Sequence, residues 1–210
     1  MPIHPDFPYP LYLVISEDSC KNLHWLKLAE EAIIGGVDII QLREKDISKR
    51  DYLEKAVALK KITDQYQVPL IVNDAADIAY EIGCWGVHVG LSDMQPQEIA
   101  SRYGDKLKIG WSLEMKKQLN NLHMLSTQHL GISPIFNTPT KTNTITTWGI
   151  DGIKELSEIT KKPLIAIGGM NSSNAKLAFE AGANSIAVVS AICSSKDPRR
   201  ASEELKELLK

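Results

Sequence analysis

PLIVNDAADIAYEIGCWGVHVG, residues 69–90, reads as one complete strand–helix–strand unit. Two short apolar, β-branched runs, PLIVND (69–74) and GVHVG (86–90), flank a segment near Ala75–Ile82 with helical character. Near-continuous apolar runs suit parallel strands buried on both faces. The same kind of run recurs in both directions along the chain. It appears as LYLVIS (11–16), IIQLRE (39–44), KIGWS (108–112), LGISPI (130–135), PLIAIG (163–168) and SIAVVSAI (185–192). Eight strands are therefore expected.

The intervening segments carry helical signals. Leu23–Ile34 places Leu23, Leu26, Ala29 and Ile33 on one face and stops at Gly35–Gly36. Ser48-Lys49-Arg50-Asp51 resembles a capping box opening a helix to about Tyr66. Asn174–Glu180 closes at Gly182, and Asp197-Pro198 supplies an N-cap and first helical position for Arg199–Leu209. Helices near 95–103, 114–126 and 150–160 are less sharply bounded. Strict alternation makes this an α/β protein with a parallel sheet. A doubly wound sheet of this length would more usually hold five or six strands. Eight units predict a closed (β/α)8 TIM barrel, a single domain over residues 1–210 with 1–10 as a lead-in.

Composition narrows the function. The 210 residues carry 24 basic and 26 acidic side chains, a formal charge of −2, and are 43% hydrophobic, which excludes disorder. Without a cationic excess, non-specific nucleic-acid binding is not expected. Cys20, Cys84 and Cys193 form no CxxC pair, so neither a disulfide framework nor a zinc site is read. No run approaches the ~20 apolar residues of a membrane span. MPIHPDFPYP lacks the basic and apolar regions of a signal peptide, and a reducing cytoplasm is the expected setting.

In such a barrel, chemistry belongs at the C-terminal ends of the strands. There the sequence puts Gln41, Arg43 and Lys45, then Asn73-Asp74, Leu91-Ser92-Asp93, Ser112, Asn137–Lys141, Gly168-Gly169 and Val189-Ser190. Arg43, Lys45 and Lys141 suit phosphate oxygens. Asp74 and Asp93 suit Mg²⁺, which is usually held by a few carboxylates together with substrate phosphates. Gly168-Gly169 and the backbone after Ser190 precede helices, where free N–H groups favour a second phosphate. Each has a plainer reading: Asp74 as a helix cap, Asn73 as a turn residue, Gly168-Gly169 as a tight turn, Lys45 as a solvated charge. His88 reads as a core histidine, and Trp25, Trp85, Trp111 and Trp148 as packing residues. No Walker, GxSxG or HExxH pattern is present. The joint placement points to small molecules carrying two anionic groups, one of them bound with metal.

QLREK (41–45), VND (72–74), GVHVGLSD (86–93), GWS (110–112), SPIFNTPTK (133–141), PLIAIGGMNSSN (163–174) and AGANSIAVVSAI (181–192) resemble, in order, the motifs of the thiamine-phosphate synthase family. The resemblance implies a transferase of thiamine biosynthesis that joins hydroxymethylpyrimidine diphosphate to thiazole phosphate and releases pyrophosphate. It implies that Arg43, Lys45, Asn73 and Lys141 hold the diphosphate and that Asp74 and Asp93 ligate Mg²⁺. It assigns Gln41 and Ser112 to the pyrimidine side, and Thr138, Thr140, Gly169, Val189 and Ser190 to the thiazole phosphate. Small phosphorylated substrates are then the partners, with no nucleic acid or membrane, and homo-oligomerisation stays open.

The chain departs from the family pattern at four places. Leu91 stands where GQxD has glutamine, Ser133 where GPIF has glycine, Glu114 where GxSxH has histidine, and Trp148 where a smaller residue precedes the glycine. A thiazole tautomerase of the same superfamily and a non-catalytic phosphate-ligand sensor are the alternatives. The tautomerase branch acts through a histidine near the Glu114 position, and the metal carboxylates need not persist there.

Overall fold

A computed structural model describes residues 3–138 and 146–210. Eight strands, β1 (Leu11–Ile15), β2 (Ile39–Leu42), β3 (Leu70–Asn73), β4 (Gly86–Val89), β5 (Lys108–Leu113), β6 (His129–Ile132), β7 (Leu164–Ile167) and β8 (Ser185–Val188), form a closed barrel in chain order. Every neighbouring pair is parallel, and β8 returns to β1 through Tyr12 opposite Ala187. The helices are α1 (Trp25–Ile34), α2 (Lys49–Gln65), α3 (Ala76–Glu81), α4 (Pro96–Tyr103), α5 (Gly149–Ile159), α6 (Ala175–Glu180), α7 (Ser190–Cys193) and α8 (Pro198–Leu208). Among the described residues, no helix is long and apolar enough to cross a membrane.

The local signals act as read at two helix starts. Ser48 accepts the Asp51 N–H at 3.1 Å and Asp197 accepts the Arg200 N–H at 3.0 Å, so each satisfies an orphan donor of its helix. Three expectations are corrected. Residues 114–126 form no α-helix but two 3₁₀ turns, Lys116–Asn120 and Leu122–Ser126. There the Gln118 side chain takes the Glu114 and Met115 N–H groups and Asn121 takes that of His123, a local alternative to the helical ladder. The run 130–135 leaves the sheet after Ile132, because Pro134 has no N–H to offer a ladder. The run 185–192 ends as a strand at Val188 and turns into α7.

Two cores result. The larger lies between sheet and helices and holds Leu11, Leu13, Leu28, Ile40, Val72, Leu130 and Ile186. The smaller fills the barrel with Tyr12, Val14, Ile39, Ile71, Ile165 and Ala187, and the lead-in adds Phe7. The Phe7 ring lies edge-on to Tyr9 and Trp85, and 4.8 Å from the His129 ring centroid. His129 is buried, and both ring nitrogens lack a partner among the described residues, so desolvation holds its pKa well below the usual value and the ring is neutral. Space for that ring requires Gly110, where an added Cβ would stand 2.1 Å from His129 Nε2.

Phe7 is 1% exposed, although the lead-in supplies no strand to the barrel. Phe7→Ala is expected to destabilise by about 3–5 kcal/mol. Thermal unfolding checks this as a fall of roughly 6–20 °C in Tm.

Candidate active site

A cavity of about 580 Å³ opens at the C-terminal ends of the strands, lined by Gln41, Arg43, Lys45, Asn73, Asp74, His88, Asp93 and Ser112 among others. Parallel strands present alternate residues inward, so the lower inward positions fill with apolar side chains and the upper ones carry the polar set. Gln41 and Asn73 are the last inward residues of β2 and β3 and are nearly buried. Gln41 Nε2 donates to Asn73 Oδ1 at 2.6 Å, and the Tyr12 hydroxyl donates to Gln41 Oε1 at 2.8 Å. Behind the β3 end, the Tyr52 hydroxyl of α2 lies 2.9 Å from both the Leu42 and Asn73 carbonyl oxygens. It also accepts the Asn73 N–H at 3.2 Å, which ties the ends of β2 and β3 together.

Asp74 adopts a left-handed backbone, φ +64°, with its N–H bonded to the His88 carbonyl at 2.8 Å. The helix-cap reading fails: α3 begins after Ala75 and receives no side-chain cap. The left-handed turn instead aims the carboxylate across the mouth. It pairs with Lys45, whose side chain is about half exposed, so Lys45 is not simply a solvated charge. Burial, with the facing Asp93 carboxylate, raises the Asp74 pKa, while Lys45 opposes that shift. Asp93 Oδ2 accepts the Gly90 N–H at 2.7 Å, and Gln95 Nε2 braces the same loop by donating to Leu91 O and Asp93 O.

Two hard carboxylates brought together against their own repulsion fit a divalent cation better than they fit each other. No group of three or more His, Cys, Asp or Glu among the described residues is arranged as a metal cage. The donor set therefore fits an ion such as Mg²⁺, which keeps water and borrows substrate oxygens, and does not fit one needing full protein coordination.

Arg43 makes no ion pair among the described residues, and it lines both this cavity and a smaller one of about 130 Å³ beside it. The smaller cavity is bounded by Thr138, Gly168, Gly169, Val189 and Ser190. Gly168 and Gly169 have φ of +97° and +70°. A Cβ at Gly169 would stand 2.8 Å from Phe136 Cβ, so the turn brings bare backbone to the cavity wall. The helix that follows this pair, α6, starts at Ala175, within a residue of where the sequence places it, after a turn in which Asn174 Nδ2 donates to the Gly169 carbonyl at 2.9 Å. Ser190 does open α7. Thr140 and Lys141 lie outside the described residues.

His88, read from sequence as a core residue, stands on the cavity wall with Nε2 3.0 Å from Ser112 Oγ. Tyr12 and Tyr52 were not among the expected site residues. Tyr12 sits inside an apolar run and Tyr52 on a helix, so only their partners reveal them. Of the four departures, Glu114 and Ser133 line the larger cavity, Leu91 stands at its rim, and Trp148 is buried.

The family model described as thiamine monophosphate synthase matches residues 11–192. A thiamine-phosphate synthase of Vibrio campbellii is 42% identical over 203 residues, 96% of this chain and 98% of that protein. One of Albidiferax ferrireducens is 39% identical over 199 residues, 95% and 91% of the two chains. Among solved structures, a thiamine phosphate pyrophosphorylase from Pyrococcus furiosus aligns with a TM-score of 0.85 and 28% identity over 96% of this chain and 95% of its own. A 3-hexulose-6-phosphate synthase, TM-score 0.71 at 20% identity, shares the fold alone. With a matched model spanning nearly all of the barrel and relatives this similar along their whole length, the chain belongs to the thiamine-phosphate synthase family.

Proposed function

We propose that the chain joins hydroxymethylpyrimidine diphosphate to thiazole phosphate, giving thiamine phosphate and pyrophosphate, with Mg²⁺ held by Asp74 and Asp93. The observation that carries this reading is the convergence of Arg43, Lys45 and Asn73 on the cavity that also holds the facing Asp74 and Asp93 carboxylates. Such a mouth suits a diphosphate bound with a hard cation. The glycine-walled cavity beside it suits a second, metal-free phosphate.

The chemistry asks little of a protein nucleophile. The pyrimidine CH₂–O bond breaks with its electron pair leaving on the diphosphate, and the thiazole nitrogen lone pair forms the new C–N bond. Arg43, Lys45 and Lys141 stabilise the charge that develops on the leaving oxygens, and Asn73 donates to them. When bound, Mg²⁺ supplies further positive charge at that leaving group. Gln41 and Ser112, the latter bonded to His88, orient the pyrimidine. Thr138, Thr140, Gly169, Val189 and Ser190 hold the thiazole phosphate alongside, and adjacency of the two substrates supplies much of the rate.

The tautomerase reading needs a histidine where Glu114 stands on the cavity wall, while both metal carboxylates persist; the synthase reading is preferred on that ground. The purified protein is expected to release pyrophosphate when given both substrates and Mg²⁺, and to stop on chelation. Absence of release under those conditions would overturn the proposal. Interconversion of thiazole isomers without pyrophosphate would select the tautomerase, and binding without turnover the sensor.

A further inference from the structure

We infer that Tyr12 is a positioning residue that decides which face of the Asn73 amide meets the substrate. The inference rests on the proposed diphosphate site and concerns a residue buried beneath it.

Tyr12 is 2% exposed and packs among Phe7, Val14, Ile39, Ile71, Ile165 and Ala187, none of which offers a side-chain hydrogen-bonding group. Its hydroxyl meets Gln41 Oε1 at 2.8 Å, and burial pushes the phenol pKa well above its usual value, so the group remains a donor. A phenol that donates fixes the neighbouring amide with its oxygen toward Tyr12. The Gln41 amino group then points to Asn73 Oδ1 at 2.6 Å. That contact in turn leaves the Asn73 amino group turned to the cavity, where it donates to no acceptor among the described residues.

The backbone of Asn73 is fixed separately by Tyr52, so only the amide orientation is left to choose. One buried hydroxyl chooses it. The group opposite Asn73 must then be an acceptor, such as an anionic phosphate oxygen or a ring nitrogen with a free lone pair. With the relay reversed, a carbonyl oxygen would face that acceptor and repel it.

Tyr12→Phe removes the hydroxyl and little else. It is expected to lower kcat/KM about tenfold through the pyrimidine substrate, with KM for the thiazole phosphate unchanged. The Asn73→Ala background separates positioning from packing: there Tyr12→Phe should add less than about a twofold further loss. Gln41→Glu, which accepts from Tyr12 but cannot donate to Asn73, should lose more than Tyr12→Phe. The wild type and these four variants are titrated with pyrophosphate and Mg²⁺ by calorimetry, so the relay is read without turnover. Weaker pyrophosphate binding in Tyr12→Phe and Gln41→Glu, with the Tyr12→Phe effect absent from the Asn73→Ala background, supports the relay even if the wild type proves inactive as a synthase. Losses that multiply in the double variant, unchanged Tyr12→Phe behaviour, or a wild type that binds no pyrophosphate would each overturn it.

Discussion

Asp74→Asn lowers pyrophosphate release by at least about 100-fold and, at neutral pH, raises Tm. The two effects have one cause. Burial and the facing Asp93 hold the folded-state pKa of Asp74 above that of the unfolded chain, against the opposing pull of Lys45. A raised carboxyl pKa contributes stability at acid pH that is lost as pH rises from the ordinary Asp value through the raised one. Above that window the ionised side chain opposes folding, and a neutral amide removes the opposition. Asparagine also tolerates the left-handed backbone at φ +64°, whereas Asp74→Ala would forfeit about 1–2 kcal/mol to strain there. Steady-state assays beside thermal melts of the Asn and Ala variants check both halves. An active Asp74→Asn protein would remove Asp74 from the metal role, and a fall in its Tm would refute the electrostatic account.

Arg43→Ala is expected to cost about 10²–10³ in kcat/KM with little change in Tm. The guanidinium makes no ion pair among the described residues, so no structural partner is stranded by its loss. Because Arg43 lines both cavities, KM should rise for both substrates. Lys45→Ala should raise KM for the pyrimidine diphosphate alone. Arg43→Lys should recover only part of the loss, since an ammonium cannot make the paired, planar contacts of a guanidinium. Initial rates with each substrate varied in turn distinguish these patterns, and a rise confined to one KM would break the link between the two cavities.

Much of this was legible in the sequence. The strands lay near where the apolar runs placed them, because parallel barrel strands are buried on both faces and write themselves as unbroken apolar runs. The mouth residues followed from strand polarity. Errors came where a side chain overrode the local pattern: Gln118 and Asn121 divert residues 114–126 into 3₁₀ turns. Residues that act through another group also escaped. Tyr12 is read as one more apolar strand residue until its hydroxyl is seen on Gln41, and Tyr52 as a helix residue until its hydroxyl is seen between two strand ends. His88 reads as a core residue because alternation in a five-residue run cannot say how high in a barrel a side chain stands.

The two cavities share Val14, Ser133, Ile167 and Ala187 as well as Arg43, so they adjoin along a common wall. A single molecule with one anionic end in each is therefore expected to bind. A compound joining a diphosphate mimic to a phosphate through a short linker would fill the second cavity at the effective concentration set by the first, a gain that reaches about 10²–10⁴ for well-matched linkers. The shared wall thus defines the length and shape of a two-headed inhibitor, with rigid anionic ends and a compact apolar middle.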